Sequence, residues 1–210
     1  MSSYLKEVYR VGNKSIEVVN GSITQYEADA IVIPANPDLE MVAVPGGIQF
    51  AVLIDGGKEI FEEAIEVAEE DAKKHGYTTI GNIKSRVPPF SAHATSAGRL
   101  TAKYDIHSVS VNYHPKFGLY CDREVIRKSV KNALMKGEEL GLKSMGFPAL
   151  GTGLYRVPLH ECTEVTIDEF VKHLKGETSL ERLGYVLYST NSYFIAKEIC
   201  DVKLKNQQES

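Results

Sequence analysis

The sequence has no surplus of basic charge: 24 Lys and Arg stand against 28 Asp and Glu, a formal net charge of -4 over 210 residues. Binding to phosphate backbones draws on clustered Lys and Arg, so this balance disfavours a nucleic-acid binder. Long apolar runs are missing too. Windows such as 48–54 fall far short of the roughly 20 residues that span a bilayer, and no membrane segment is expected. The opening Met1-Ser2-Ser3-Tyr4-Leu5-Lys6 lacks the basic start, apolar centre and small-residue cleavage site of a secretory signal. Cysteine is scarce: Cys121, Cys162 and Cys200 are odd in number and widely spaced, which suits a reducing compartment rather than a disulfide scaffold. A cytoplasmic protein is expected. No internal repeat or low-complexity linker marks a second domain. The expectation is a single domain over 1–201 and a polar tail, 202–210, that frays.

What is present fits a folded α/β protein. Hydrophobic residues make up 43% of the chain and charged residues 25%, an ordinary globular balance. Short β-branched runs predict strands over 15–19 and 30–33, the second apolar enough to be buried on both faces. After Pro45-Gly46-Gly47 a long helical stretch carries Ile60, Phe61, Ala64, Ile65, Ala68 and Ala72 at helical spacing, with Gly76 as its stop. Its acidic residues, Glu59, Glu62, Glu63, Glu66, Glu69, Glu70 and Asp71, read as a solvated face. Weaker strands are predicted over 79–87 and 92–96, and a clearer one over 106–111. Asp122 caps a helix that repeats Val125, Ile126, Val130, Ala133 and Leu134 before Gly141 closes it. A strand over 144–147, a helix from Pro158 to about 174, a strand over 183–188 and a last helix follow, that helix capped by Asn191 or Ser192 and ending near Cys200. Such alternation implies a largely parallel sheet with helices on both faces, where ligands bind at the carboxyl ends of strands.

Two glycine-rich loops follow predicted strands, Pro45-Gly46-Gly47-Ile48 and Gly151-Thr152-Gly153-Leu154-Tyr155. Glycine lets a backbone approach a phosphate closely, and a turn into a helix presents unpaired amides at the positive end of the helix dipole. Two such loops could clamp a diphosphate, although either alone reads as a plain geometric turn. Gly56-Gly57-Lys58 is not a phosphate-binding Walker loop, since Val52 stands where its first glycine belongs and Glu59 where Ser or Thr belongs. No strand leads into a Gly-x-Gly-x-x-Gly dinucleotide fingerprint.

The run Gly21-Ser22-Ile23-Thr24, then Ala28-Asp29-Ala30-Ile31-Val32 leading to Ala35-Asn36, then Gly46-Gly47-Ile48, resembles the first half of a macro domain. Ile106-His107-Ser108-Val109 and Phe147-Pro148-Ala149-Leu150-Gly151-Thr152-Gly153-Leu154-Tyr155 resemble its second half, so the likeness covers about residues 15 to 200. The resemblance implies a three-layer α/β/α fold with a mixed, largely parallel central sheet and a cleft for ADP-ribose. Asn36 would bond the distal ribose. Gly46, Gly47 and Ile48 would wrap that ribose and one phosphate, and Gly151, Thr152, Gly153, Leu154 and Tyr155 would cradle the diphosphate, with Tyr155 shielding the sugar. Ile23 would offer an amide near adenine, and Tyr188, or Tyr193 nearby, would pack on the base. The implied partner is ADP-ribose or an ADP-ribosylated protein; no cofactor is implied.

The chain departs from that family's pattern at four positions. Ser22 stands where relatives carry an Asp that accepts from the adenine amino group. Hydrolytic relatives carry Asn where this chain has Ile33, and Asp where it has Gln49; Gln takes up no proton near neutral pH. A binder is therefore the simpler expectation, with Asn36 and Gln49 as the catalytic candidates of a slow ADP-ribosyl or O-acetyl-ADP-ribose hydrolase. Arg156 replaces a usual Gly, and an exposed solubilising side chain is expected there. Outside the resemblance, His160, Glu161 and Cys162 with His107, His114 or Cys121 match no zinc spacing, so no metal is expected. His107 reads as a hydrogen-bonded core residue, and His93 and His114 read as structural. A Cys121 and His114 nucleophile pair lacks an activating turn.

Overall fold

The computed structural model describes residues 5–42, 44–81 and 83–205. Strands β1 (Lys6–Val11) and β2 (Lys14–Asn20) open the chain as a hairpin turning at Gly12, followed by a 3-10 turn (Ile23–Gln25) and β3 (Ala30–Ala35). Helices α1 (Ile48–Gly56) and α2 (Glu59–His75) come next, then β4 (Thr78–Ile80), β5 (Ile83–Ser85), β6 (Ala92–Ser96) and β7 (Tyr104–Val109). A small hairpin, β8 (Asn112–His114) and β9 (Gly118–Tyr120), precedes α3 (Arg123–Glu139). The chain continues with β10 (Ser144–Phe147), α4 (Leu159–Lys175), β11 (Arg182–Leu187), α5 (Thr190–Cys200) and a π-helical turn (Asp201–Lys205).

Seven strands form one sheet in the order β1-β2-β11-β10-β3-β7-β6. The inner pairings are parallel, and the pairings at the two edges are antiparallel. The expected mixed, largely parallel α/β/α fold is what forms. In β3 the alternation of side chains sends Ala30 and Val32 into a core with α3, α4 and α5, while Ile31 and Ile33 meet α1 and α2 on the other face. A strand covered on both sides has to be apolar throughout, which is why its sequence shows no alternation.

On the α1 and α2 face of β11 and β10, Tyr26 fills the space that two glycines leave. Tyr26 lies against Gly146 and Gly184, where added Cβ atoms would sit 2.6 and 2.3 Å from its ring. Its hydroxyl donates to Glu17 Oε2 at 2.9 Å and accepts from Arg182 at 2.8 Å.

Several boundaries differ from the sequence-based expectation for identifiable reasons. The helical stretch after Gly47 is two helices, broken at Gly57, whose φ of 112° no helix continues. The run 79–87 is no single strand, because Gly81 turns at φ 62° and folds it into the β4–β5 hairpin; residue 82 lies outside the described residues. On α2, Glu63 leaves the solvated-face reading by accepting from Ser96 N and Oγ, and Glu69 by accepting from Arg86 Nε at 2.6 Å. Asp122 caps α3 as expected, accepting from Val125 N at 2.8 Å. The cap of α5 is Ser189, not Asn191 or Ser192. Finally, 202–205 do not fray. Leu204 is buried against the core, Lys203 pairs with Asp168 at 2.7 Å and Lys205 with Glu7 at 3.3 Å; 206–210 lie outside the described residues.

Candidate functional site

The five parallel strands end side by side at Asn20, Leu187, Phe147, Ala35 and Val109. Every ligand-binding residue singled out in the sequence lies on a segment that leaves this one edge. The segment 21–23 follows β2, Tyr188 follows β11, 151–155 follow β10, and Asn36 with 46–48 follow β3.

Gly46 has φ 81° and Gly151 φ 78°, left-handed values that favour glycine at both turns. Gly47 caps α1 with no side-chain hydrogen bond, and a Cβ there would lie 3.0 Å from the Val44 carbonyl oxygen. The first amides of α1 are thus capped by no side chain, an arrangement that attracts anions. Gly151 closes its own turn by accepting from Val157 N at 3.1 Å, and Thr152 Oγ1 donates to Ala149 O at 2.8 Å. Between these anchors Gly153 and Leu154 are exposed, Leu154 at 79%, while Tyr155 is half-buried against two core clusters.

Asn36 acts on its own loop: Oδ1 accepts from Asp38 N at 2.9 Å and Glu40 N at 3.3 Å, and Nδ2 donates to Glu40 O at 2.6 Å. Arg86 secures the far side of that loop, reaching Asp38 O, Glu40 Oε1 and, from α2, Glu69.

The sequence model of the Macro domain matches residues 32–166, well over half the chain. The chain belongs to the macro domain family. A protein of Pyrobaculum aerophilum is 36% identical over 88% of this chain and 90% of its own, and one of Saccharolobus solfataricus is 33% identical over 91% and 95%. Among solved structures, the Oceanobacillus iheyensis macrodomain with ADP superposes at TM-score 0.81 and 23% identity, covering 98% of this chain and all of that one. The Trypanosoma brucei macrodomain in complex with ADP-ribose superposes at 0.68 and 22%, over 87% and 68%. At these identities the superpositions speak for the fold.

In this macro domain Gln49 has a structural occupation. It is 8% exposed, its Oε1 accepts from Val42 N at 2.7 Å, and its Nε2 donates to Pro34 O at 2.8 Å. The carboxamide straps the loop between β3 and α1 to the end of β3. Arg156 is exposed and occupies φ 52°, a left-handed conformation that favours glycine.

At the ends of β2 and β11, Tyr188 is 88% exposed and its carbonyl accepts from Asn20 Nδ2 at 3.1 Å, which places it beside the start of 21–23. The Tyr193 ring, the substitute considered for it, is buried against the core instead. Ser22 Oγ lies 2.8 Å from Thr24 Oγ1, which donates to Asp55 Oδ2 at 2.6 Å. Sequence reading missed Thr24 and Asp55. The one available signal was the spacing of Asp55 three residues after buried Val52 and seven after Ile48, which puts all three on one face of α1.

The remaining candidates resolve into packing. His107 is fully buried, 3.0 Å from Thr95 Oγ1 and edge-on to Phe61, and burial pushes its imidazole down to about 3. His114 stacks on Phe117, and burial pushes the Cys121 thiol up to about 12. Cys162 donates to Leu150 O at 3.2 Å inside the core. Among the described residues no helix is long and apolar enough to cross a membrane.

Proposed function

We propose that this macro domain, a single domain over 1–201, binds ADP-ribose, free or carried on a modified protein, in the groove along the carboxyl edge of its sheet. The observation that carries this reading is the pairing of two left-handed glycine turns, at Gly46 and Gly151, on segments leaving adjacent strands β3 and β10. The first turn of α1, capped by no side chain, follows directly on Gly46 and Gly47, which suits a phosphate bound there. In this reading Gly46, Gly47 and Ile48 take one phosphate, and Gly151, Thr152, Gly153, Leu154 and Tyr155 take the other. Asn36 lies at the distal ribose and Ser22, Ile23 and Tyr188 lie at the base. The ADP and ADP-ribose held by the two structural neighbours support the ligand class.

Hydrolysis of an ADP-ribosyl linkage or of O-acetyl-ADP-ribose in the same groove is the weaker reading. With Gln49 buried and strapped to backbone, no side chain at that position accepts a proton from water, and turnover would depend on the ligand's own phosphate. A nucleic-acid role is disfavoured by the net charge of -4. The free cysteines suit the reducing interior of a cell, and a cytoplasmic location is inferred on that ground.

Calorimetry with ADP-ribose, ADP and AMP side by side tests the reading. ADP-ribose is expected to bind tightest and AMP at least tenfold weaker than ADP, since AMP lacks the second phosphate. Absence of heat with ADP-ribose at millimolar ligand would overturn it.

A further inference from the structure

The hydroxyls between β2 and the 3-10 turn form a chain whose direction is set by counting protons. Thr24 Oγ1 lies 2.6 Å from Asp55 Oδ2, and a carboxylate only accepts, so Thr24 spends its single proton there. Thr24 Oγ1 is also 2.8 Å from Ser22 Oγ. With its proton already given, Thr24 accepts in that contact and Ser22 donates. Ser22 Oγ is left with lone pairs alone for any further partner.

Asp55 belongs to the exposed last turn of α1, 31 residues from Thr24, and Thr24 itself is buried. Just past the end of the neighbouring β11, Tyr188 has an exposed ring that offers a flat platform for an aromatic base. It is tied there by Asn20 Nδ2 to Tyr188 O at 3.1 Å and by Gly21 N to Leu187 O at 2.9 Å.

We infer that Asp55 is a specificity-determining positioning residue: through Thr24 it holds Ser22 as an acceptor, so that this end of the groove selects a base bearing an exocyclic amino group over one bearing a carbonyl. The inference rests on the ADP-ribose reading above, which places the base next to Ser22 and Tyr188. It supplies from α1 the carboxylate that Ser22 itself lacks. A 6-amino purine presents a donor to Ser22; a 6-oxo purine presents an oxygen to an oxygen and leaves both unpaired.

The test is calorimetry with ADP-ribose and inosine diphosphate ribose on the intact protein and on Asp55→Ala and Thr24→Val. The wild type is expected to prefer ADP-ribose by about tenfold, the effect of one lost hydrogen bond. Asp55→Ala frees the Thr24 proton, so Ser22 can donate or accept, and the preference is expected to narrow to about twofold, partly through tighter binding of the inosine ligand. Thr24→Val cuts the chain with Asp55 still in place and is expected to narrow it equally. A wild type that binds both ligands alike, or an Asp55→Ala protein that keeps the full preference, overturns the inference while leaving the ADP-ribose reading intact. No binding of either ligand to the wild type overturns that reading, and this inference with it.

Discussion

Gly151 sits directly over the Cys121 thiol: a Cβ on Gly151 would lie 2.6 Å from Cys121 Sγ and 3.2 Å from Val157 Cγ2. The turn proposed to hold a phosphate is therefore moulded by a side chain from the segment leading into α3. With φ at 78°, any larger residue there adds backbone strain to that collision. Gly151→Ala is expected to cost about 2 kcal/mol of stability and to weaken ADP-ribose binding by about tenfold. Adding Cys121→Ala should recover the part due to collision but not the part due to φ, which a double-mutant cycle followed by denaturant melts and calorimetry measures.

The neighbouring departure runs in the opposite direction. Arg156 is exposed and left-handed at φ 52°, and its side chain gives no visible return for that strain. Arg156→Gly is expected to raise stability by about 0.5 to 1 kcal/mol, seen as a shift of the urea midpoint with unchanged m-value. An unchanged or lower midpoint would show that the guanidinium supports the loop.

Gln49 couples the loop between β3 and α1 to the sheet through Val42 N and Pro34 O. Gln49→Ala leaves two backbone groups without their partner and is expected to cost about 1 to 3 kcal/mol. Because the strap positions Gly46 and Gly47, affinity for ADP-ribose should fall more than affinity for AMP. An equal fall for both ligands would separate Gln49 from the second phosphate.

Beneath α2 lies a carboxyl group that the site does not use. Asp105 is fully buried, neither of its oxygens meets a hydrogen-bond partner among the described residues, and burial pushes its pKa up to about 8. The folded protein thus holds a proton that the unfolded chain releases near pH 4, so this group's contribution to stability is complete below that pH and is lost as pH rises to 8. His107, held neutral by burial, works the other way: its contribution is complete above its ordinary value near 6.5 and is lost as pH falls toward 3. The two oppose each other between about pH 4 and 6.5, and above that range Asp105 acts alone. The Tm of the wild type is expected to fall between pH 6.5 and 8, and Asp105→Asn should flatten that fall. The same slope in the variant would place the titration elsewhere.

How legible each part was in the sequence follows from how local its cause is. The run 30–33 read correctly as a buried strand because a parallel sheet covered on both faces demands apolar residues. The Asp122 cap read correctly because its partner, Val125 N, is three residues away. β1 escaped notice because Lys6 and Arg10 give it the charged, exposed face of an edge strand, and its partner β2 supplies the ladder. The glycine turns of the site were visible, as was their place after strands. The chain from Ser22 to Asp55 was not, since residues 31 apart meet only once α1 has packed beside the 3-10 turn. Gln49 could be seen to be no base, but its strap to Pro34 O could not be seen, because backbone carbonyls leave no mark in a sequence.

Backbone amide NMR during titration with ADP-ribose tests the central claim most directly, since it reports where the diphosphate lies. The largest shifts are expected at Gly47, Ile48, Gly151, Gly153 and Leu154, with smaller ones at Ile23 and Asn36. The open depression lined by Gly12, Lys14, Leu174 and Gly176, where β2 begins, should stay silent. Shifts concentrated at that depression, with the amides of 46–48 and 151–154 unmoved, would contradict the account.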